Sequence, residues 1–262
     1  MSDNEKRYKI IILRHGESEW NKSNLFCGWV DVPLSDKGKD QAVSTANLIL
    51  QSKENFNPTL VFTSKLTRSC QTANIILEKL NKQYLDIYRS WRLNERHYGK
   101  LQGETKSVIL AKFGKEKYMY WRRAYEGCPP PSTLDDKFCG TNDERYKNID
   151  LEPGEPLPVA ESLKMVVHRL MPYFNNFIKP KLIDNNTILI VTHGSVVRAL
   201  IKEVYQISDE DIININIPNG IPMVITLDEN FEAVGDYFYL DPEIAKIEAE
   251  KVARQGFENH HK

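Results

Sequence analysis

The sequence predicts an α/β fold: a mostly parallel sheet with helices on both faces and a lid-like insertion. Two apolar runs, Ile10-Ile11-Ile12-Leu13 and Ile188-Leu189-Ile190-Val191, are continuous rather than alternating, as in strands covered on both faces. Helical patterns fill most of the gaps between runs of this kind, which is how βαβ units read in sequence. Each of the two runs ends on a polar residue followed by His-Gly, at His15-Gly16 and His193-Gly194. Ligands bind beyond the carboxyl ends of the strands in open α/β sheets, so both imidazoles are expected at one sheet edge.

Strands are expected at 9–13, 60–63, 84–88, 187–192, 222–227 and 234–239. The last two, separated by Asp228-Glu229-Asn230, read as an antiparallel edge. Ser35 has the side chain of an N-cap for a helix reaching Leu50, with Ala42, Ala46 and Ile49 on its apolar side. Further helices are expected at 66–80, 106–125, 162–177 and 195–205. The stretch 126–159, with Pro129-Pro130-Pro131 followed by Pro153, Pro156 and Pro158, holds too much proline for a helix. A connection of this length in a compact domain reads as a lid or an insert. Residues 241–262 read as a partly amphipathic helix with a polar end, and the whole of 1–262 as a single domain.

The chain has 262 residues, 41% hydrophobic and 27% charged, with a formal net charge of −1. That balance gives no general affinity for nucleic acid or for an anionic membrane, so any basic pocket must be built locally. Residues 1–9 lack the apolar core of a signal peptide, and no apolar run reaches the length of a membrane span. Cys27, Cys70, Cys128 and Cys139 form no C-x-x-C pair, which argues against structural zinc and a disulfide framework. The cytoplasm is the expected location.

Arg14-His15-Gly16-Glu17-Ser18-Glu19-Trp20-Asn21 is the most specific string. An imidazole with a free ring nitrogen attacks phosphorus, and a neighbouring guanidinium neutralises the phosphoryl oxygens. Gly16 permits close approach, and Asn21 offers a hydrogen bond. Taken alone, the string is equally compatible with a buried strand-end histidine beside a surface arginine. Arg68 falls in the first turn of a helix near the same edge, as an anion ligand or as an ordinary solvated arginine. In Leu93-Asn94-Glu95-Arg96-His97-Tyr98-Gly99, Glu95 is the natural acid–base group, and His97 reads as structural. Lys106 and Trp121-Arg122-Arg123 flank the proline-rich stretch, as an anion grip or as a solvated face. At His193-Gly194-Ser195 a strand passes into a helix whose N–H groups and dipole favour an anion. His193 reads as a stabiliser of a transferring phosphoryl group opposite His15, or as a satisfied core histidine. His168, His260 and His261 are assigned no chemistry. No cluster of carboxylates has metal-ligand spacing, and arginines are placed to neutralise charge in place of a metal.

Together these motifs resemble the cofactor-dependent phosphoglycerate mutases of the histidine phosphatase superfamily. RHGESEWN, FCGWVDVPLS, TSKLTRSCQTA, WRLNERHYGKLQG, WRRAYE, THGS and PNGIP occur in that family's order across nearly the whole chain. The resemblance implies that His15 is the phosphorylated nucleophile, with Arg14, Arg68 and His193 around the phosphoryl group and Asn21 and Gly194 adding hydrogen bonds. It implies Glu95 as proton donor and acceptor, and Tyr98, Lys106, Arg122 and Arg123 as holders of the substrate's carboxylate and second phosphate. Two positions depart from the family pattern: Cys27 stands where Thr or Ser is common, and Ser195 where Asn is. Cys27 is shared with the bisphosphoglycerate-making branch, but that branch carries a bulkier residue at the Gly28 position; Gly28, lining the floor, looks like the glycolytic mutase and bears more directly on ligand fit. The implied substrate is a small phosphorylated sugar acid, the implied primer is 2,3-bisphosphoglycerate with no metal, and the implied assembly is a homo-oligomer, dimer or tetramer. The rival readings are a synthase or phosphatase on the same scaffold and a non-catalytic phosphate-binding module.

Overall fold

Six strands form one sheet in the computed structural model, which describes residues 7–147, 149, 151 and 154–257. They are β1 (Tyr8–Arg14), β2 (Leu60–Thr63), β3 (Ile87–Arg89), β4 (Thr187–Thr192), β5 (Met223–Leu227) and β6 (Phe238–Tyr239). Their order across the sheet is β3-β2-β4-β1-β5-β6, with β1 to β4 mutually parallel and β5 antiparallel to both β1 and β6. The expected mostly parallel sheet with an antiparallel edge is therefore present.

The continuous apolar runs are explained by helices on both faces. On one face Ile11, Leu13, Val61, Leu189 and Val191 pack with Ala46 and Ile49 of α2 (Asp36–Gln51) and Ala73, Ile76 and Leu77 of α3 (Thr67–Lys79). On the other, Ile10, Ile12, Phe62, Ile188 and Ile190 meet α5 (Leu163–Tyr173), α6 (Lys179–Asn185) and α7 (Gly194–Val204). Successive strand residues alternate between two buried layers, so every position must be apolar. Short α1 (Glu19–Lys22) follows β1 under a Ser18–Asn21 capping box, and Ser35 caps α2 through the Gly38 N–H. Helix α8 (Pro242–Arg254) ends the described chain with Ala245 and Val252 buried.

Four expectations are corrected. The strand expected at 84–88 begins only at Ile87, because a turn bonding Leu85 N–H to Lys82 O occupies the preceding residues. The strand expected at 234–239 shrinks to Phe238–Tyr239, since Gly235 at φ +67 breaks the extended run. The helix expected at 162–177 stops at Tyr173, then continues through a π-turn at Phe174–Ile178 into α6. There Pro180 sits in the first turn, where its missing N–H costs nothing. The helix expected at 106–125 is α4 (Lys106–Arg123), and it is broken at Gly114, whose φ 79 and ψ 165 are open only to glycine. A straight helix of 18 residues would hold its ends about 27 Å apart. Instead Lys106 and Arg122 both bond the same Gln255 side-chain oxygen, at 3.0 and 3.1 Å, so the chain folds back at the break.

The proline-rich stretch is fastened to the sheet edge. Lys100 N–H donates to Pro130 O, His97 Nε2–H to Cys139 O, Gln102 to Phe138 O, and Asn94 to the Tyr146 hydroxyl. Residues 1–6, Pro153 and the end of the tail with His260 and His261 lie outside the described residues. Among the described residues no helix is long and apolar enough to cross a membrane.

Candidate active site

Strands β1 and β4 are paired in register, Arg14 against Thr192. The next residue on each strand is a histidine, so two rings that are remote in sequence emerge side by side, 4.9 Å apart and inclined at 63°. His15 Nδ1 lies 2.6 Å from Gly16 O. A carbonyl only accepts, so Nδ1 carries the proton and Nε2 presents a lone pair. Arg68 Nε–H donates to that Nε2 at 3.2 Å, while its two Nη groups donate to Gly28 O and Val30 O. The first turn of α3 thus locks Arg68 against the ring. Burial, then Arg68 and Arg14, hold the His15 pKa well below 6.5, so the imidazole is neutral at physiological pH.

Around this pair a cavity is lined by Arg14, His15, Asn21, Cys27, Gly28, Arg68, Glu95, Tyr98, Lys106, Arg122, Arg123, Gly194 and Ser195. His193 is fully buried immediately behind the wall, against His15. The structure therefore brings together every residue singled out in the sequence. Asn21 uses its carbonyl oxygen in the capping box, and its amide faces Cys27 Sγ at 3.6 Å. Glu95 Oε1 accepts from Arg96 N–H at 2.8 Å and Ser195 N–H at 3.2 Å. The Ser195 amide, expected to face an anion, holds the Glu95 carboxylate. Tyr98 receives a bond from Arg96, and its pKa is lowered: burial pushes it up, and Arg96 with Arg123 outweighs that. A Cβ at Gly28 would displace the end of the Gln102 side chain, and φ there is +52, a conformation that favours glycine.

Cations dominate the rest of the wall. Burial, reinforced by Arg122, lowers the Lys106 pKa to about 7. Arg123 is held well below its usual value by burial and by Arg122 and Arg198. Arg198 was not anticipated. It stands in α7 among Val197, Ala199 and Leu200, donates to Arg123 O and Ile212 O, and has its pKa lowered to about 9 by burial. An arginine inside an apolar helical run was the available signal. Arg14 Nε, Arg122 Nη1, Arg198 Nε and His193 Nδ1 are buried without a partner among the described residues. Unpaired buried donors of this number are costly and mark a site made for an anion.

The covering segment is also unanticipated. Among the described residues none from 126–159 lines the cavity, whereas Val252 and Gln255 do. Gln255 accepts from Lys106 and Arg122, and Val252 O accepts from Arg122 at 2.6 Å. The cavity has a volume of ≈ 60 Å³.

Behind Glu95 lies an ion pair missing from the sequence reading. Arg169 Nε meets Glu161 Oε1 at 2.7 Å, and its Nη groups donate to the carbonyls of Arg92, Asn94 and Glu95. Glu161 Oε2 also accepts from His97 N–H. Glu161→Ala leaves Arg169 buried and unpaired, and urea denaturation should show a loss of about 3–5 kcal/mol. A loss under about 1 kcal/mol would show that the pair does not organise the Glu95 loop.

Fold and site together define a histidine-centred phosphoryl-transfer protein. The sequence matches the Histidine phosphatase superfamily (branch 1) over residues 10–143 and 135–237. It is 47% identical over 248 residues to phosphoglycerate mutase 1 of Saccharomyces cerevisiae, covering 95% of this chain and 98% of that one. It is also 47% identical over 250 residues to the 2,3-bisphosphoglycerate-dependent phosphoglycerate mutase of Arthrobacter sp., with the same coverage. A solved phosphoglycerate mutase from Bacillus anthracis superposes with TM-score 0.63 at 16% identity, covering 94% of this chain and 98% of that one. A mycobacterial glucosyl-3-phosphoglycerate phosphatase superposes with TM-score 0.65 at 21% identity, covering 88% and 98%. At such identities the structures speak for the fold alone. The chain belongs to the histidine phosphatase superfamily and, within it, to the 2,3-bisphosphoglycerate-dependent phosphoglycerate mutases.

Proposed function

We propose that the protein interconverts 2-phosphoglycerate and 3-phosphoglycerate, in glycolysis and gluconeogenesis, through a phosphorylated His15. The observation that carries this reading is the fixed proton on His15 Nδ1, which leaves Nε2 as a neutral nucleophile inside an arginine cage. His15 attacks the phosphorus. Arg14, Arg68 and His193 stabilise the charge that spreads over the phosphoryl oxygens. Glu95 is held through Oε1, which leaves Oε2 to take the proton from, or return it to, the substrate hydroxyl that exchanges the phosphoryl group with His15. Lys106, Arg122, Arg123 and Tyr98 grip the carboxylate and the second phosphate, with Cys27, Gly28 and Asn21 shaping the floor and Gly194 and Ser195 closing the helix end. Arg198 joins the cation set.

The site fits 2,3-bisphosphoglycerate as primer, because the unpaired donors of Arg14, Arg122, Arg198 and His193 match a small polyanion. When bound, the primer supplies the phosphoryl group that charges His15. The proposal includes no metal, since the guanidinium groups around His15 supply the charge neutralisation. Glycine at position 28 supports the mutase over the bisphosphoglycerate-making branch. A single domain over 1–262, with 126–159 as its insertion and 241–262 as its tail, a cytoplasmic location and a homo-oligomeric state, dimer or tetramer, complete the proposal.

The test is primer dependence. After exhaustive removal of bound phosphate, turnover of 3-phosphoglycerate should be low. It should recover with 2,3-bisphosphoglycerate sub-stoichiometric to substrate and be indifferent to EDTA. Full primer-free activity that EDTA abolishes would replace this reading with a metal-dependent one.

A further inference from the structure

His193 contributes to phosphoryl transfer only if its proton sits on the correct nitrogen. Its pKa is held well below 6.5 by burial and by Arg68 and His15, so the ring is neutral and carries a single N–H. Nδ1 is buried without a partner among the described residues, on a ring whose centroid lies 4.9 Å from that of His15. Nε2 lies 2.8 Å from the hydroxyl oxygen of Ser64, a fully buried residue between β2 and α3. If the proton were on Nε2, it would be directed at Ser64, and Nδ1 would offer only a lone pair, which repels phosphoryl oxygens.

The hydrogen bonds of Ser64 settle the direction. Its Oγ already accepts from the Leu66 N–H at 3.1 Å. Its hydroxyl proton has no acceptor among the described residues other than His193 Nε2. With Nε2 as donor, Oγ would receive two N–H groups while its own proton stayed buried and unpaired, at a cost of about 1–3 kcal/mol. With the hydroxyl as donor, both Ser64 hydroxyl functions are paired, and the histidine proton is left on Nδ1, where it is the single group still awaiting an acceptor. The backbone holds this arrangement, since Ser64 O accepts from both Thr63 Oγ1 and Cys70 Sγ.

We propose that Ser64 is a positioning residue for phosphoryl transfer: its hydroxyl donates to His193 Nε2 and thereby fixes the Nδ1–H tautomer that faces the phosphoryl group on His15. The inference rests on the phosphohistidine reading above, and it gives His15 and His193 the same protonated nitrogen with opposite duties. In His15, Nδ1–H is tied back to a carbonyl so that Nε2 can attack. In His193, Nε2 is tied back to a hydroxyl so that Nδ1–H can donate.

The test uses the full chain labelled with ¹⁵N-histidine, with the His193 resonances assigned by their loss in His193→Gln. Long-range ¹H–¹⁵N spectra of the wild-type protein should show His193 protonated on Nδ1; protonation on Nε2 overturns the proposal. This measurement needs no turnover, so it stands or falls apart from the mutase assignment. Ser64→Ala should shift the His193 proton toward Nε2. It should lower kcat about 10–100-fold with KM within about threefold, as for loss of one donor to a developing oxyanion. Ser64→Thr, which keeps the hydroxyl, should restore both the tautomer and kcat. An unchanged kcat in Ser64→Ala, or a loss expressed only in KM, overturns the proposal. If Ser64→Ala does not fold, the wild-type spectrum decides.

Discussion

His15→Asn should abolish turnover, with kcat falling by about 10⁴–10⁶-fold, the scale seen when a nucleophile is removed from a catalytic group that works as a unit. Two features predict so large a loss. His15 Nε2 is the ring lone pair directed at Arg68, and among the described residues no other nucleophile lines the cavity with such a partner. His193, the nearest substitute, has its Nε2 on Ser64. Brief exposure of the wild-type protein to 2,3-bisphosphoglycerate should leave an acid-labile, base-stable phosphate on the peptide containing Arg14 to Trp20. Label on the His193 peptide, or label that survives acid, would reassign the nucleophile.

Glu95→Gln should lower kcat by about 10²–10⁴-fold, the range for removing a general acid–base group, while ligand affinity changes little. The amide is a fair probe because the two N–H donors that hold Oε1, from Arg96 and Ser195, still find an amide oxygen there. Geometry is thus retained and proton transfer is lost. Titration calorimetry with 3-phosphoglycerate separates the two quantities. A fall of only a few-fold in kcat would transfer the proton-handling role to Tyr98 or to water.

Much of this site was legible because local patterns and chemistry agreed. The uninterrupted aliphatic runs of β1 and β4 revealed strands buried on both faces, and each run carried its histidine at the end that opens onto the cavity. Arg68 and the Arg122–Arg123 pair sat at helix ends and Glu95 in a loop, the pair and Glu95 each within a string dense in charged and aromatic residues. What escaped reading depends on tertiary contact. Residues 106–113 and 115–123 each have helical character, and only the approach of both halves to Gln255 shows that Gly114 is a reversal and not a tolerated glycine. The covering role of Val252 and Gln255 was hidden behind a charged, ordinary-looking tail, while prolines drew attention to 126–159. The Glu161–Arg169 pair bridges a loop and a helix and positions Glu95 through carbonyls, which have no side-chain signature.

The place of β1 in the sheet has a consequence for the birth of the molecule. The first strand synthesised lies between β4 and β5, two of the last. Emerging at about 5–20 residues per second, the chain leaves roughly 10–40 s between the appearance of Ile10-Ile11-Ile12 and that of its second partner strand. For most of that interval, until β4 emerges, an aliphatic segment with two open edges lacks both neighbouring strands of its sheet, the condition under which nascent chains aggregate or engage chaperones. Closure of the sheet and appearance of the paired histidines are then the same late event. Regain of activity on refolding therefore reports insertion of the amino-terminal strand, and chains released before residue 187 are both inert and sticky.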